Sequence, residues 1–223
     1  MKFKHKVAVV IPAFNEEKRI KEVLRDLKKF NLLVIVVDDG SVDRTFLVSK
    51  RYCKTVLRHE INLGKGAALK TGIEAAFLLG ATAVIIMDSD GQHKTSDIPK
   101  FIGALSSGKT DVIFGSRNQG MGVPFVRFTG NKAASVLISL LFGIYVSDLI
   151  CGFRAFTKKA YSKITWQSLG YGVETEMVIK TGQANLRYFE VPVETVYHDK
   201  FKGVTILDAL GILFSVFKWR LSK

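Results

Sequence analysis

Residues 82–93 read TAVIIMDSDGQH. The first six are uncharged and largely β-branched, the makeup of a buried strand, and they run directly into the turn sequence Asp88-Ser89-Asp90-Gly91. In an open α/β sheet, ligands bind beyond the carboxyl ends of the strands, so a site is expected at this turn. Residues two apart on an extended segment project the same way, which lets Asp88 and Asp90 converge on one cation. Gln92, two residues further, adds an amide oxygen. Two carboxylates and an amide are hard donors suited to Mg²⁺ or Mn²⁺ that also holds substrate phosphates.

Two more strand-and-turn units precede this one. Residues 7–11 form an apolar run that ends in Pro12-Ala13-Phe14-Asn15-Glu16, and 32–37 end in Asp38-Asp39-Gly40-Ser41-Val42-Asp43. One acidic turn after a strand is ordinarily a turn or a helix cap; three of them after three strands argue for a shared site. Between the strands, Ile20, Val23, Leu24, Leu27 and Phe30 recur at helical spacing within 16–30. Helices are also predicted over 43–52, 65–79 and 96–105, and strands over 55–58 and 112–115. This alternation indicates an α/β fold with a mostly parallel central sheet covered by helices on both faces. After Ser116 the rhythm changes to Gly-rich loops and apolar helices, with strands predicted at 153–157, 188–192 and 193–197. Residues 1–223 read as a single domain, a nucleotide-binding half (1–117) followed by an acceptor half (118–223).

The chain carries 33 Lys and Arg against 20 Asp and Glu, a formal charge of +13 at pH 7, and 48% of its residues are apolar. That composition supports a core and excludes a disordered, collagen-like or disulfide-stapled protein. The positive excess points to an anionic partner. Cys53 and Cys151 lack CxxC spacing and read as reduced thiols. The opening MKFKHKVAVVIPAFNEE has too short an apolar run for a signal peptide and reads as a first strand. No stretch reaches the ~20 apolar residues that span a bilayer. Two come partway, 131–147 (uncharged from 133 onward) and 204–221. Each is either a core helix or an interfacial one, with Lys132, Lys202, Lys218, Arg220 and Lys223 reaching headgroups in the second case. Residues 103–110, GALSSGKT, match the phosphate-loop pattern GxxxxGK[ST]. Here, however, the glycines end a helix and a strand follows, the reverse of the required context, so Gly108 reads as a helix C-cap. A basic nucleic-acid-binding domain is the non-enzyme alternative, although Lys and Arg are scattered and no nucleic-acid-binding motif is evident.

The ordered set VVIPAFNEE, VVDDGSVDRT, NLGKGAALKTG, DSDGQH, GSR, DLICGFRAF and EVPVETVYH covers essentially the whole chain. In it the chain resembles the family 2 inverting glycosyltransferases of GT-A fold, and among them the polyprenyl-phosphate, dolichyl-phosphate mannose synthase-like branch. The resemblance implies that Pro12, Ala13, Asn15, Glu16 and Asp39 hold the nucleoside of an NDP-sugar, flanked by Asn62, Gly64, Lys65 and Gly66. It implies that Asp88, Asp90 and Gln92 hold Mg²⁺ or Mn²⁺ on the diphosphate, and that Arg117, Arg154 and Lys200 face phosphate or acceptor. The run Lys200-Phe201-Lys202-Gly203-Val204-Thr205 keeps the family's charge but departs from its Gly-x-Ser-Lys-like pattern. The QxxRW motif of processive polysaccharide synthases is absent, which argues against a polymerase.

These implications are chemically coherent. Breaking a sugar–diphosphate bond builds negative charge on the leaving group, which a divalent ion and basic side chains stabilise. A polyprenyl phosphate, with a second pKa near ~6, is mostly a dianion at neutral pH and attacks without a general base. Attack opposite the leaving group inverts the anomeric carbon. The expected partners are therefore an NDP-sugar (GDP-mannose or UDP-glucose type), a polyprenyl or dolichyl phosphate, and an anionic membrane surface on the cytosolic side, with no nucleic acid. Transfer to a lipid or glycan hydroxyl is the alternative; it would call on Glu174 or Glu176 as base, two carboxylates that otherwise read as structural.

Overall fold

Every residue of β1 (Val7–Ala13) is buried, and its side chains alternate between two cores. Ala8 and Val10 join one with Leu69 and Ile73 of α3 (Lys65–Leu78) and Ile179 of α7 (Val173–Gln183). Val9 and Ile11 join the other with Leu24 of α1 (Ile20–Leu27) and Phe101 of α4 (Ile98–Ser106). The sheet is therefore a central layer between two helical ones, as a run of apolar strands requires. The computed structural model describes 6–117, 125–170, 172–196 and residues 211, 215, 216, 219 and 220.

The remaining elements are β2 (Leu33–Asp38), α2 (Thr45–Tyr52), β3 (Thr55–Arg58), β4 (Ala83–Ile86), β5 (Val112–Arg117), α5 (Phe125–Phe142), β6 (Arg154–Thr157), α6 (Lys158–Tyr161) and β7 (Tyr188–Val193). They form a seven-stranded sheet in the order β3-β2-β1-β4-β6-β5-β7. The first four strands are parallel, with Val10 opposite Ile35 on one side and Ile86 on the other. β6 enters antiparallel between β4 and β5, Ala155 facing both Ile85 and Ile113, and β5 pairs parallel with β7. β1, β2 and β4 thus release their loops at one edge of the sheet.

Three elements differ from their sequence-based expectation. Expected from residue 16, α1 starts at Ile20, because Glu16 N–H donates to Thr45 Oγ1 (2.7 Å) and Glu17 N–H to Asp43 Oδ2 (3.2 Å). Instead of two strands over 188–197 there is one, Tyr188–Val193. Past it, Glu194 N–H donates to Asp97 Oδ2 (2.8 Å) and Val196 N–H to Gln92 O (2.9 Å), so the chain folds back onto the 92–97 loop. The candidate interfacial helix 131–147 corresponds to α5, which ends at Phe142 before Gly143 takes a left-handed φ of 69°. Asn131, Ser135 and Ile138 are buried, as in a core helix, whereas Val136 and Leu140 are exposed. Most of the other candidate, 204–221, lies outside the described residues; within it, Val216 is buried and Trp219 packs against the core. Gly108, with φ 67°, follows α4 and precedes β5, as a helix cap does and a phosphate loop does not.

Candidate active site

The loops after β1 and β2 are bonded to each other. Asn15, at a left-handed φ of 55°, donates its N–H to Ser41 Oγ (2.9 Å) and accepts from Val42 N–H through Oδ1 (3.0 Å). Asp39 donates its N–H to Ala13 O (2.8 Å). Its carboxylate accepts from Leu63 N–H (3.0 Å) and Gly64 N–H (2.8 Å) and meets His59 Nδ1 at 2.7 Å, while His59 Nε2 meets Thr71 Oγ1 at 3.0 Å. The fold thus gathers Ala13, Asn15, Glu16 and Asp39 with the loop carrying Asn62, Gly64, Lys65 and Gly66. Pro12 and Ala13 are buried backbone of β1, and Asn62 is exposed. Gly66 has a further reason to be glycine: its N–H donates to Leu169 O (2.6 Å), and a Cβ there would lie 2.0 Å from Ser168 O. Trp166 Nε1 donates to Gly66 O (3.0 Å), pinning the 166–169 segment against this loop.

At the end of β4, the ammonium of Lys65 stands 2.6 Å from Asp88 Oδ1 and 2.7 Å from Glu174 Oε1. Burial by itself would lower the Lys65 pKa, but the two carboxylates outweigh it and hold it above the ordinary lysine range. Burial likewise opposes the ionised form of Asp88, yet Lys65 and, more weakly, Arg117 bring its pKa down to about 2. The Asp88 carboxylate also rests against the bare Cα of Gly152. His93 is buried and packs at a tilt against the Phe153 ring, and its Nδ1 accepts from Asp88 N–H at 3.4 Å. Burial pulls the His93 pKa down against the charges of Asp88 and Asp90. Asp90 is half-buried and caps its own turn by accepting from Gln92 N–H (3.0 Å).

Of the expected cations, Arg117 is near this cluster but engaged: Nε and Nη2 contact the two oxygens of Asp148 at 2.6 and 2.8 Å. Asp148 Oδ1 also accepts from Asn131 Nδ2 (3.0 Å), which docks α5 on the site. The sequence reading turned Arg154 towards phosphate or acceptor; the structure turns it inward. It is 1% exposed and donates to Cys151 O (2.9 Å), Glu174 O (2.6 Å) and Leu149 O (2.5 Å), with its guanidinium against the Phe114 ring. Cations buried under a sheet need fixed acceptors, and three loop carbonyls provide them. Glu176 accepts from Gln167 N–H, Ser168 N–H and Ser168 Oγ (2.9, 2.8 and 2.6 Å), so it anchors the 166–169 segment, one of the two roles open to it in the sequence. Lys200 lies outside the described residues.

Among the described residues, no group of three or more His, Cys, Asp or Glu is gathered for a metal ion. The donor chemistry still suits a hard divalent ion, since Asp88 and Asp90 flank one tight turn and Gln92 follows it. A basic hollow of about 370 Å³, bordered by Lys28, Lys50, Arg51 and Lys54, lies at the opposite end of the strands and takes no part in this cluster.

Residues 8–165 match the model of Glycosyl transferase family 2, and the chain belongs to that family. It is 31% identical to the UDP-N-acetylglucosamine–dolichyl-phosphate N-acetylglucosaminyltransferase of Methanococcus voltae, with 97% of each chain covered. It is 30% identical to the dolichol-phosphate mannosyltransferase of Pyrococcus furiosus, over 96% of this chain and 64% of that one. Among solved structures, glucosyl-3-phosphoglycerate synthase from Mycobacterium tuberculosis, in complex with Mn²⁺, UDP-glucose and phosphoglyceric acid, superposes with a TM-score of 0.73. It shares 23% identity and covers 97% of this chain and 80% of its own, which shows the common GT-A fold. The motif-based resemblance therefore holds: the chain is a glycosyltransferase that stands with the polyprenyl-phosphate branch.

Three contributors escaped the sequence reading as individual residues. Asp148, the partner of Arg117, sits in DLICGFRAF as an unremarked acid, and its pairing joins distant segments. His59 and Trp166 belong to no motif at all. A local pattern cannot reveal that one orients Asp39 and the other clamps Gly66.

Proposed function

We infer that the chain transfers a hexose or N-acetylhexosamine from an NDP-sugar to a polyprenyl phosphate at the cytosolic face of a membrane, with inversion at the anomeric carbon. The observation that carries this reading is the pairing of Lys65 with Asp88 and Glu174 beside Arg117, which leaves neither candidate base, Glu174 nor Glu176, unengaged. Glu176 spends its oxygens on three donors and Glu174 holds Lys65, an arrangement that favours an acceptor already ionised over a hydroxyl needing deprotonation. Asp88, Asp90 and Gln92 would hold Mg²⁺ or Mn²⁺, which supplies charge stabilisation to the departing diphosphate. The loops around Ala13, Asn15, Glu16 and Asp39 would shape the nucleoside pocket, and Arg117 would orient phosphate. The exposed apolar residues Val136 and Leu140 on α5 suit a protein that meets its lipid acceptor at an interface. The names of relatives print a UDP-N-acetylglucosamine donor in one case and a transferred mannosyl group in the other.

Calorimetry with UDP-N-acetylglucosamine, UDP-glucose and GDP-mannose in the presence of Mn²⁺ selects the donor, and transfer to a short-chain polyprenyl phosphate tests the acceptor. One donor should bind and be consumed only with the lipid phosphate, and Asp90→Ala should abolish consumption. Full turnover in that variant, or transfer to a hydroxyl lipid in preference to the phosphate, overturns the assignment.

A further inference from the structure

Lys65 holds two carboxylates where an ion pair needs one. Its ammonium touches Asp88 Oδ1 at 2.6 Å and Glu174 Oε1 at 2.7 Å, and its side chain is 20% exposed. Asp88 is also the residue assigned to the divalent ion under the proposed function, and the second role of Lys65 rests on that assignment. A Mg²⁺ or Mn²⁺ ligand bond is about 2.1 Å long, so an ion on Asp88 would lie within a few ångströms of this ammonium. Like charges at that separation repel in a poorly solvated site, and the ammonium must leave Asp88 for the ion to have it. Glu174 is where it can go. That residue is buried in the first turn of α7, its carbonyl is fixed by Arg154 Nη1 (2.6 Å), and it already touches the ammonium. The backbone of Lys65 is equally fixed, because Asp39 holds the preceding Gly64 N–H (2.8 Å). Only the side chain has to move.

We propose that Lys65 is a resident cation standing in for the divalent ion on Asp88 while no donor is bound, and that Glu174 is the positioning residue that receives its ammonium when the ion takes Asp88. The displaced ammonium then faces the donor's diphosphate. Metal and nucleotide must therefore bind cooperatively: the ion alone has to evict the ammonium, whereas a diphosphate offers that ammonium a second anion.

The test is Mn²⁺ titration of the full chain by calorimetry and by the electron paramagnetic resonance of free Mn²⁺, with no acceptor and no turnover, with and without UDP or GDP. Wild type should bind Mn²⁺ weakly alone and more tightly with a nucleotide. Lys65→Met should bind Mn²⁺ alone about tenfold more tightly, with a smaller nucleotide effect, whereas Lys65→Arg should stay weak. Glu174→Gln should weaken Mn²⁺ binding, since the ammonium then has Asp88 alone. In the double variant K65M/E174Q the gain should persist, which separates a competitor removed from a ligand added. A merely structural Lys65 would lower thermal stability without tightening Mn²⁺. Unchanged Mn²⁺ affinity in Lys65→Met, or loss of the gain in the double variant, overturns the proposal. Should Lys65→Met fail to fold, unchanged affinity in Glu174→Gln overturns it instead. A wild type that never binds Mn²⁺, with or without nucleotide, removes the metal assignment and this proposal together; one that binds it while the variants do not respond removes this proposal alone.

Discussion

Gly152→Ala adds one methyl group to the wall behind Asp88. Built on the present backbone, that Cβ lies 2.3 Å from Asp88 Oδ2 and 2.8 Å from its Cγ. Contacts between non-bonded heavy atoms relax near ~3.5 Å, so the carboxylate has to withdraw by about 1 Å. The fold itself loses little, because the atoms that move are the end of a side chain: about 1–2 kcal/mol. For a domain of this size that corresponds to a fall in Tm of roughly 2–8 °C. The site loses more. Asp88 Oδ1 is held at 2.6 Å from Lys65, and its other oxygen has no room behind it. A displacement of about 1 Å in such a group costs about 10²-fold in rate. At 1.36 kcal/mol per decade, that is about 2.7 kcal/mol of transition-state stabilisation. Sugar transfer to polyprenyl phosphate, measured beside a thermal melt, separates the two effects. The expected protein is folded, slightly less stable and about a hundredfold slower in kcat/KM. A folded Gly152→Ala protein with undiminished kcat/KM would refute the reasoning, since Asp88 would then have tolerated the crowding without consequence.

Three further outcomes are expected from the same geometry. Glu176→Ala strands Gln167 N–H and Ser168 N–H and should cost about 3 kcal/mol, read as a lower urea midpoint. Glu176→Gln should cost less and leave the pH profile of transfer unmoved; a shifted acidic limb would make Glu176 a proton acceptor after all. Asp88 is held near a pKa of about 2 against an ordinary 3.8, so the unfolded chain takes up its proton more readily than the folded one. Its pairing with Lys65 therefore contributes fully above pH ~4 and is lost as pH falls towards ~2, at most about 2 kcal/mol. Urea midpoints at pH 5 and pH 2.5 should show that loss, and Lys65→Met should flatten it; an equally steep loss in the variant would assign the acid sensitivity elsewhere. Burial pushes the Cys151 thiol up to about 12 and raises that of Cys53 as well. Both thiols should ignore Ellman's reagent in the native protein and react once it is unfolded, and rapid native labelling would contradict their burial.

Much of the fold was legible because its signals are local. Strand 82–87, the acidic turn after it, and the helical spacing of Ile20, Val23, Leu24 and Leu27 are repeats of period two or about 3.6, which a short window contains whole. The motif order was enough to name the family, and the turn positions were enough to bring Ala13, Asn15, Asp39 and Asp88 to one edge of the sheet. Where a backbone group found a better partner far along the chain, the local reading slipped. The 16–19 segment left its helix for Thr45 and Asp43, and 194–196 left its strand for Gln92 and Asp97.

What the sequence determined by itself, then, was the class of fold, the family and the acidic turn at the end of the central strand, since each is written in neighbouring residues. Only the tertiary structure decided which charges meet. Arg117 met Asp148, Arg154 was drawn under the sheet onto three carbonyls, and Lys65 came to lie between Asp88 and Glu174. The antiparallel insertion of β6 beside β4 carries Gly152 and Arg154 to the site, and the packing of α7 brings Glu174. Coulomb attraction acts through space and ignores position in the chain, so these pairings exist only once the sheet has closed.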